Sequence, residues 1–142
     1  MATTETRTHQ NYIGGEWVDA ASGETFESIS PADGETLGVF PRSSADDVDR
    51  AVEAAKAAYE DWRLTPAPKR GEILFRFGQL LADQKDDVAD LMAHEMGKVL
   101  PEAAGDVQEA IDMSFYMGGE GRRLFGQTTP SELRDKFNMS IR

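Results

Sequence analysis

The sequence predicts an α/β chain: short hairpin strands come first, about four helices follow, and a strand closes it. Three observations carry this. In NYIGGEWVDA a Gly-Gly pair separates two β-favouring runs, and such a pair is a two-residue hairpin signal because those turns need positive φ. After residue 44 the apolar period changes to that of a helix. The last stretch, KFNMSIR, alternates, with Phe137, Met139 and Ile141 on one face.

The elements follow in order. Residues 1–10 are polar and read as a disordered lead. Tyr12-Ile13 and Trp17-Val18 are the arms of the first hairpin, TFESI (25–29) alternates weakly as a third strand, and TLGVF (36–40) is a further strand after the Pro31-Ala-Asp-Gly34 turn. Ser44-Ala-Asp-Asp47 is a helix start with acids in its first turn. Val48, Ala51, Val52, Ala55, Tyr59 and Trp62 then form one apolar stripe, which Thr65-Pro-Ala-Pro68 breaks. A second helix over 69–84 places Ile73, Phe77, Leu80 and Leu81 on one face, and a third, with Val88, Leu91 and Met92, runs to about Met96. Gly97 is suited to end that helix in the left-handed conformation, and Pro101 to open the next. The fourth helix presents Val107, Ala110, Ile111, Ser114 and Gly118 on one side and weakens at Gly118-Gly119 and Gly121. Residues 126–130 read as a loop. The strand at 136–142 has no local partner in this reading, and the early strands are few for four helices, so the chain is expected to be incomplete as a domain.

Composition bounds the function. The chain has 142 residues and no cysteine, which excludes a disulfide framework, a Cys-ligated zinc site and a cysteine nucleophile within it. No apolar run reaches the roughly 18 residues of a membrane helix, and MATTETRTHQ lacks the apolar centre of a signal peptide. A cytoplasmic protein is expected. Twenty-six acids against 15 bases give a net charge of −11, which disfavours nucleic acid and anionic membrane as partners. The acids are dispersed and Arg outnumbers Lys ten to five. That pattern suits solubility in concentrated salt, where screening removes most self-repulsion.

The residues alone show no catalytic constellation. HEMGKVLPEA holds a Gly-Lys pair, but Met92 stands where a phosphate loop needs its first glycine, Val99 follows the lysine, and a helix precedes it. Gly118-Gly119-Glu-Gly121 lacks the preceding strand of a dinucleotide fingerprint. His9 and His94 are isolated from each other and support no nucleophile–base pair. Glu95 and Glu102 flank the Gly-Lys turn, where solvation or pairing with a nearby lysine is the ordinary expectation. Asp106, Glu109 and Met113 share a face of the fourth helix, either solvated or lining a cavity.

Taken together, NYIGGEW, SISPADGETLGVFP and the run from SSADDVDRAVEAA through HEMGKVLPEAAGDVQEAIDMSFYMGGEGRRLFG closely resemble the N-terminal part of the NAD(P)-dependent aldehyde dehydrogenases. Pieces such as GGEW are weak alone. Their order and spacing, with the E-x-G-K-x-x-x-E-A element at 95–103, carry the resemblance from about residue 11 to 142. It implies the N-terminal part of that α/β fold, with 11–130 belonging to the cofactor-binding domain and 131–142 beginning an oligomerisation β-arm. It implies oxidation of a small-molecule aldehyde to the acid with NAD or NADP, in a homo-oligomer, dimer or tetramer. The family's cysteine nucleophile, glutamate base, oxyanion asparagine and glycine-rich cofactor turn are expected beyond this segment, so no catalytic or cofactor-binding residue is assigned here and the segment is expected to be inactive scaffold. The resemblance places Gly105 and Glu109 on the substrate tunnel, with Asp106 and Met113 adjacent. It matches Ser28 and Glu95 to a monovalent-cation site, where Glu replaces a shorter acid and Ser30 replaces Asn. MGKVLPEA and GDVQEAID resemble enzymes of semialdehydes such as 2-oxoglutarate semialdehyde. Binding a carboxylate needs a cation, and the tunnel segment shows none. A stand-alone helical binding module, or a truncated partner without catalysis, is the alternative expectation.

Overall fold

A computed structural model describes residues 7–141. Six short strands and four helices run β1 (Asn11–Ile13), β2 (Glu16–Val18), β3 (Thr25–Ile29), β4 (Thr36–Pro41), α1 (Ala45–Leu64), α2 (Ala67–Asp83), α3 (Lys85–Met96), α4 (Leu100–Glu120), β5 (Thr128–Pro130) and β6 (Phe137–Met139). The chain divides into two compact units. The first holds residues 1–64 and 84–108, the second 65–83 and 109–142.

In the first unit β1 and β2 pair antiparallel, with Ile13 opposite Glu16. Gly14 (φ +64°) and Gly15 (φ +90°) take the left-handed region that the tight turn requires. β3 and β4 form a second antiparallel pair, whose register shifts between Ser28 and Ile29. The expected disordered lead ends earlier than residue 10. The His9 N–H donates to the Val39 carbonyl at 2.8 Å and the Val39 N–H to the Arg7 carbonyl at 3.0 Å, so residues 7–9 lie along the free edge of β4. His9 also stacks on Phe40 at 4.4 Å. Residues 1–6 of the expected lead, and Arg142 at the end of the expected last strand, lie outside the described residues.

α1 starts as the Ser44 signal predicts, but Asp47 does more than favour the helix dipole. Its carboxylate accepts the Ser44 N–H at 2.9 Å and the Ala21 N–H at 2.9 Å, tying the link after β2 to the first turn of α1. The predicted apolar stripe of α1 is not what this unit buries. Val48 and Tyr59 are 58% and 57% exposed, while Asp47 is buried. The β1–β2 turn instead meets the alanine side of the helix: a Cβ on Gly14 would sit 3.8 Å from the Ala54 Cβ. α3 and the first half of α4 form an antiparallel hairpin, with Lys85 Nζ donating to Gln108 Oε1 at 2.8 Å near its open end. Ala89, Ala103 and Val107 are buried here; of the predicted α3 face Val88 and Met92 are half-buried and Leu91 is exposed. Burying Val107 contributes about 1.5–3 kcal/mol relative to leaving it in water.

In the second unit α2 runs antiparallel to the later half of α4, and glycines form the seam. Gly71 meets Gly118, Gly78 meets Ser114 and Phe115, and Gly121 meets Ala67. Of the predicted α2 face, Ile73, Phe77 and Leu80 are exposed and Leu81 is half-buried, because the helices approach on the side where the side chains are absent. For α4 the prediction holds at Val107, Ile111, Ser114 and Gly118, all buried, and fails at Ala110. Ser114 can be buried because its hydroxyl donates to the Ala110 carbonyl at 2.6 Å. The last strand does have a local partner. β6 pairs antiparallel with β5, Thr128 opposite Met139 and Pro130 opposite Phe137, where a loop was expected. β-Branched Thr128-Thr129 supplies the strand preference that Gly126 and Pro130 masked.

Candidate functional site

The corner between α3 and α4 is set by one residue. Gly97 has φ +71°, and its N–H donates to the Ala93 carbonyl at 2.9 Å, closing α3. A Cβ there would lie 2.9 Å from Pro31 Cγ, so the corner rests against the turn after β3. Replacing Gly97 with alanine therefore combines left-handed strain with a contact that must move. We expect a loss of about 1–2 kcal/mol, read by chemical denaturation in molar salt; an unchanged midpoint would contradict it.

Charge gathers at this corner. His94 Nδ1 donates to the Asp90 carbonyl at 2.9 Å and lies 3.7 Å from the Asp90 carboxylate. That bond, then the charges of Asp90, Asp33 and Glu35, raise the imidazole above its ordinary value of 6.5. Asp33 is lowered, first by the Glu35 N–H, then by the nearby Ser30 hydroxyl, and also by His94. The Ser30 hydroxyl is buried without a well-formed hydrogen bond, so the Glu35 N–H is the firmer cause. Stability from protonated His94 is fully present below 6.5 and is lost as pH rises through the raised value. An NMR titration should give a His94 midpoint above 6.5 that falls toward it in Asp90→Asn. A midpoint at or below 6.5 in the native chain would contradict the cluster.

α4 leaves this corner with its buried stripe on one side. At about 100° per residue, Gly105, Asp106, Glu109 and Met113 fall on the side away from it. All four are exposed, and a Cβ on Gly105 would meet nothing within 4 Å. Gly105 and Asp106 belong to the first unit's part of the helix, Glu109 and Met113 to the second's. Ser28 sits half-buried on β3 opposite Gly38, and Glu95 is exposed near the end of α3. Among the described residues no group of three or more His, Asp or Glu side chains could hold a metal ion.

The glycine-rich end of α4 does not fit a nucleotide phosphate. Gly118 is packed against Gly71 and Phe75, and a Cβ on Gly121 would strike the Ala67 carbonyl. Those glycines serve helix contact, so no cofactor cradle is derived from them.

One ion pair at this corner escaped sequence reasoning. The Lys98 ammonium reaches across the corner to the Asp106 carboxylate. The two are eight residues apart, no helical spacing joins them, and only the turn at Gly97 brings them together. A cation therefore does border the α4 face. Lys98 is 20% exposed and Asp106 49%.

The sequence and fold match known proteins. The model of the aldehyde dehydrogenase family matches residues 17–142. Malonate-semialdehyde dehydrogenase 3 of Geobacillus kaustophilus is 42% identical over 132 residues, covering 93% of this chain and 27% of the relative. Alpha-ketoglutarate semialdehyde dehydrogenase of Haloferax volcanii is 44% identical over 118 residues, covering 82% and 24%. Among solved structures, an E. coli NADP dependent enzyme superposes with a TM-score of 0.86 at 37% identity, covering 95% of this chain and 28% of that one. The chain thus spans about a quarter of the length of the curated relatives it matches.

Proposed function

The chain belongs to the aldehyde dehydrogenase family, and on that premise we propose that it is the N-terminal scaffold of an enzyme oxidising a semialdehyde to its acid with NAD or NADP. The observation that carries this is α4. Its one side is buried in the helix seams, and its other presents Gly105, Asp106, Glu109 and Met113 to open space. In this reading that face lines the substrate path. The semialdehyde class is supported by the two relatives, whose names specify malonate and alpha-ketoglutarate semialdehydes. In the same reading 11–130 belongs to the cofactor-binding domain, 131–142 begins the arm through which copies of the protein pair, Ser28 and Glu95 contribute to a monovalent-cation site, and the protein works in the cytoplasm. The net charge of −11 fits work in concentrated salt.

Reaction chemistry in the family, as the resemblance implies it, needs a cysteine nucleophile. This chain has none, so by itself it supplies no covalent step. Incubated with NAD+ or NADP+ and a semialdehyde, the purified chain should give no rise in reduced cofactor; turnover would refute the scaffold role. Much apolar surface is exposed, including Trp17, Leu80, Leu91 and Phe125, which supports a segment that docks on a larger body rather than a stand-alone module. A sharp two-state thermal transition of a monomer in dilute buffer would favour the module.

The positive test is a graft. This chain replaces the matching segment of the Haloferax volcanii relative, and kcat/KM is measured for a semialdehyde and for hexanal. Glu109→Met should shift the ratio toward hexanal by about 10-fold, the scale of a changed pocket contact. An active graft whose ratio ignores Glu109 and Met113 would remove the lining role.

A further inference from the structure

We propose that Lys98 is the specificity-determining cation of the α4 face, recognising the terminal carboxylate of an aldehyde substrate. This rests on the semialdehyde reading above and adds to it the residue that reads the charge. α4 itself contains no lysine or arginine, and its outward face carries Asp106 and Glu109. A carboxylate approaching that face would meet only repulsion unless a cation offset it. The structure supplies one from outside the helix at its Asp106 end; Arg123, past the far end, is bonded to Glu120 and lies over Tyr116. The turn at Gly97 sends Lys98 back to Asp106, at the edge of the face.

Three features suit Lys98 to the task. Its side chain is only 20% exposed, so its charge is screened less than that of a free surface lysine. Its ammonium has three donors, and the Asp106 contact occupies one of them. Asp106 holds it in place, so a substrate carboxylate would meet a fixed charge rather than a mobile one. The other lysine that reaches α4, Lys85, binds Gln108, which lies about 160° around the helix from Asp106, on the Gly105 flank of the face rather than beside the acid.

The experiment uses the same grafted dehydrogenase, with kcat/KM measured for malonate semialdehyde and for propanal, which lacks the carboxylate. Lys98→Met should lower the ratio of the first to the second about 10- to 100-fold, the loss of one charge-assisted hydrogen bond. Most of that loss should appear in KM for the semialdehyde. Lys98→Arg should restore most of the ratio. Asp106→Asn, which removes a competing carboxylate, should raise it. If Lys98→Met lowers both substrates equally, the pair only positions α4 and the proposal is overturned; an unchanged ratio overturns it as well. If the unsubstituted graft oxidises propanal but not the semialdehyde, the substrate class fails, and this proposal with it. If it oxidises the semialdehyde and the ratio ignores Lys98, only the role of Lys98 fails.

Discussion

Gly71→Ala is expected to open the seam between α2 and the later half of α4. An alanine Cβ at 71 would fall inside the contact radius of the Gly118 carbonyl oxygen, and behind that oxygen stands more backbone, at Gly118 C and Cα. A flexible side chain could turn away, but a helix backbone cannot. Two effects compete. Alanine is favoured over glycine in a helix by about 1 kcal/mol, whereas overpacking a close contact costs about 1–3 kcal/mol and sometimes more. Because the clash is with backbone, the second should win and the helices should separate. Gly105→Ala is the control. It sits in the same α4, a Cβ there meets nothing within 4 Å, and propensity alone should make it neutral or stabilising. Amide hydrogen exchange in molar salt reads both variants. Protection at Gly78 to Leu81 and Ile111 to Phe115 should fall in Gly71→Ala while Ala89 to Ala93 keeps its own. Native protection throughout the second unit would show that the seam tolerates a methyl group.

Asp47→Ala is expected to loosen the first unit at one point, where α1 begins. The carboxylate accepts N–H groups from Ser44 and Ala21 and lies 3.7 Å from Arg50 Nη1. Its removal leaves two backbone donors unpaired at a part-buried position, which is costly. Its carboxyl is held below the ordinary 3.8, first by the Ser44 N–H, then by the Ala21 N–H, with burial opposing them. The sign follows from linkage. The group is more acidic folded than unfolded, so its stabilisation is present above 3.8 and is lost as pH falls through the lowered value. The native chain should therefore lose exchange protection in the first turn of α1 on acidification, and Asp47→Asn should show less of that loss. An equal acid response in Asp47→Asn would assign it to other carboxylates.

Sequence reasoning found the elements better than their packing. Gly14-Gly15, Ser44, Gly97 and Pro101 are local signals, because each meets a backbone requirement within a few residues. Every helix they bound is present near its expected limits. Faces were harder. In α1 and α2 the apolar stripe was legible, but Val48, Tyr59, Ile73 and Phe77 are exposed, while Asp47, Gly71 and Gly78 are buried. Periodicity reports where large apolar side chains lie. It cannot report where two backbones approach, and there the small residue is selected. The strand at 137–139 was legible and its partner at 128–130 was not, because a three-residue edge strand beside Pro130 carries little signal of its own.

The candidate site divides the same way. The sequence by itself determined the family resemblance, the order of elements, the acidic surface, the absence of a cysteine and the shared helical face of Asp106, Glu109 and Met113, because these depend on residue identity and short spacing. Only the tertiary structure decided that Asp47 ties two segments together, that Gly118 and Gly121 sit in the contact with α2, and that Lys98 answers Asp106. Each joins residues that no local period relates, so each exists only once the turns have brought the helices together.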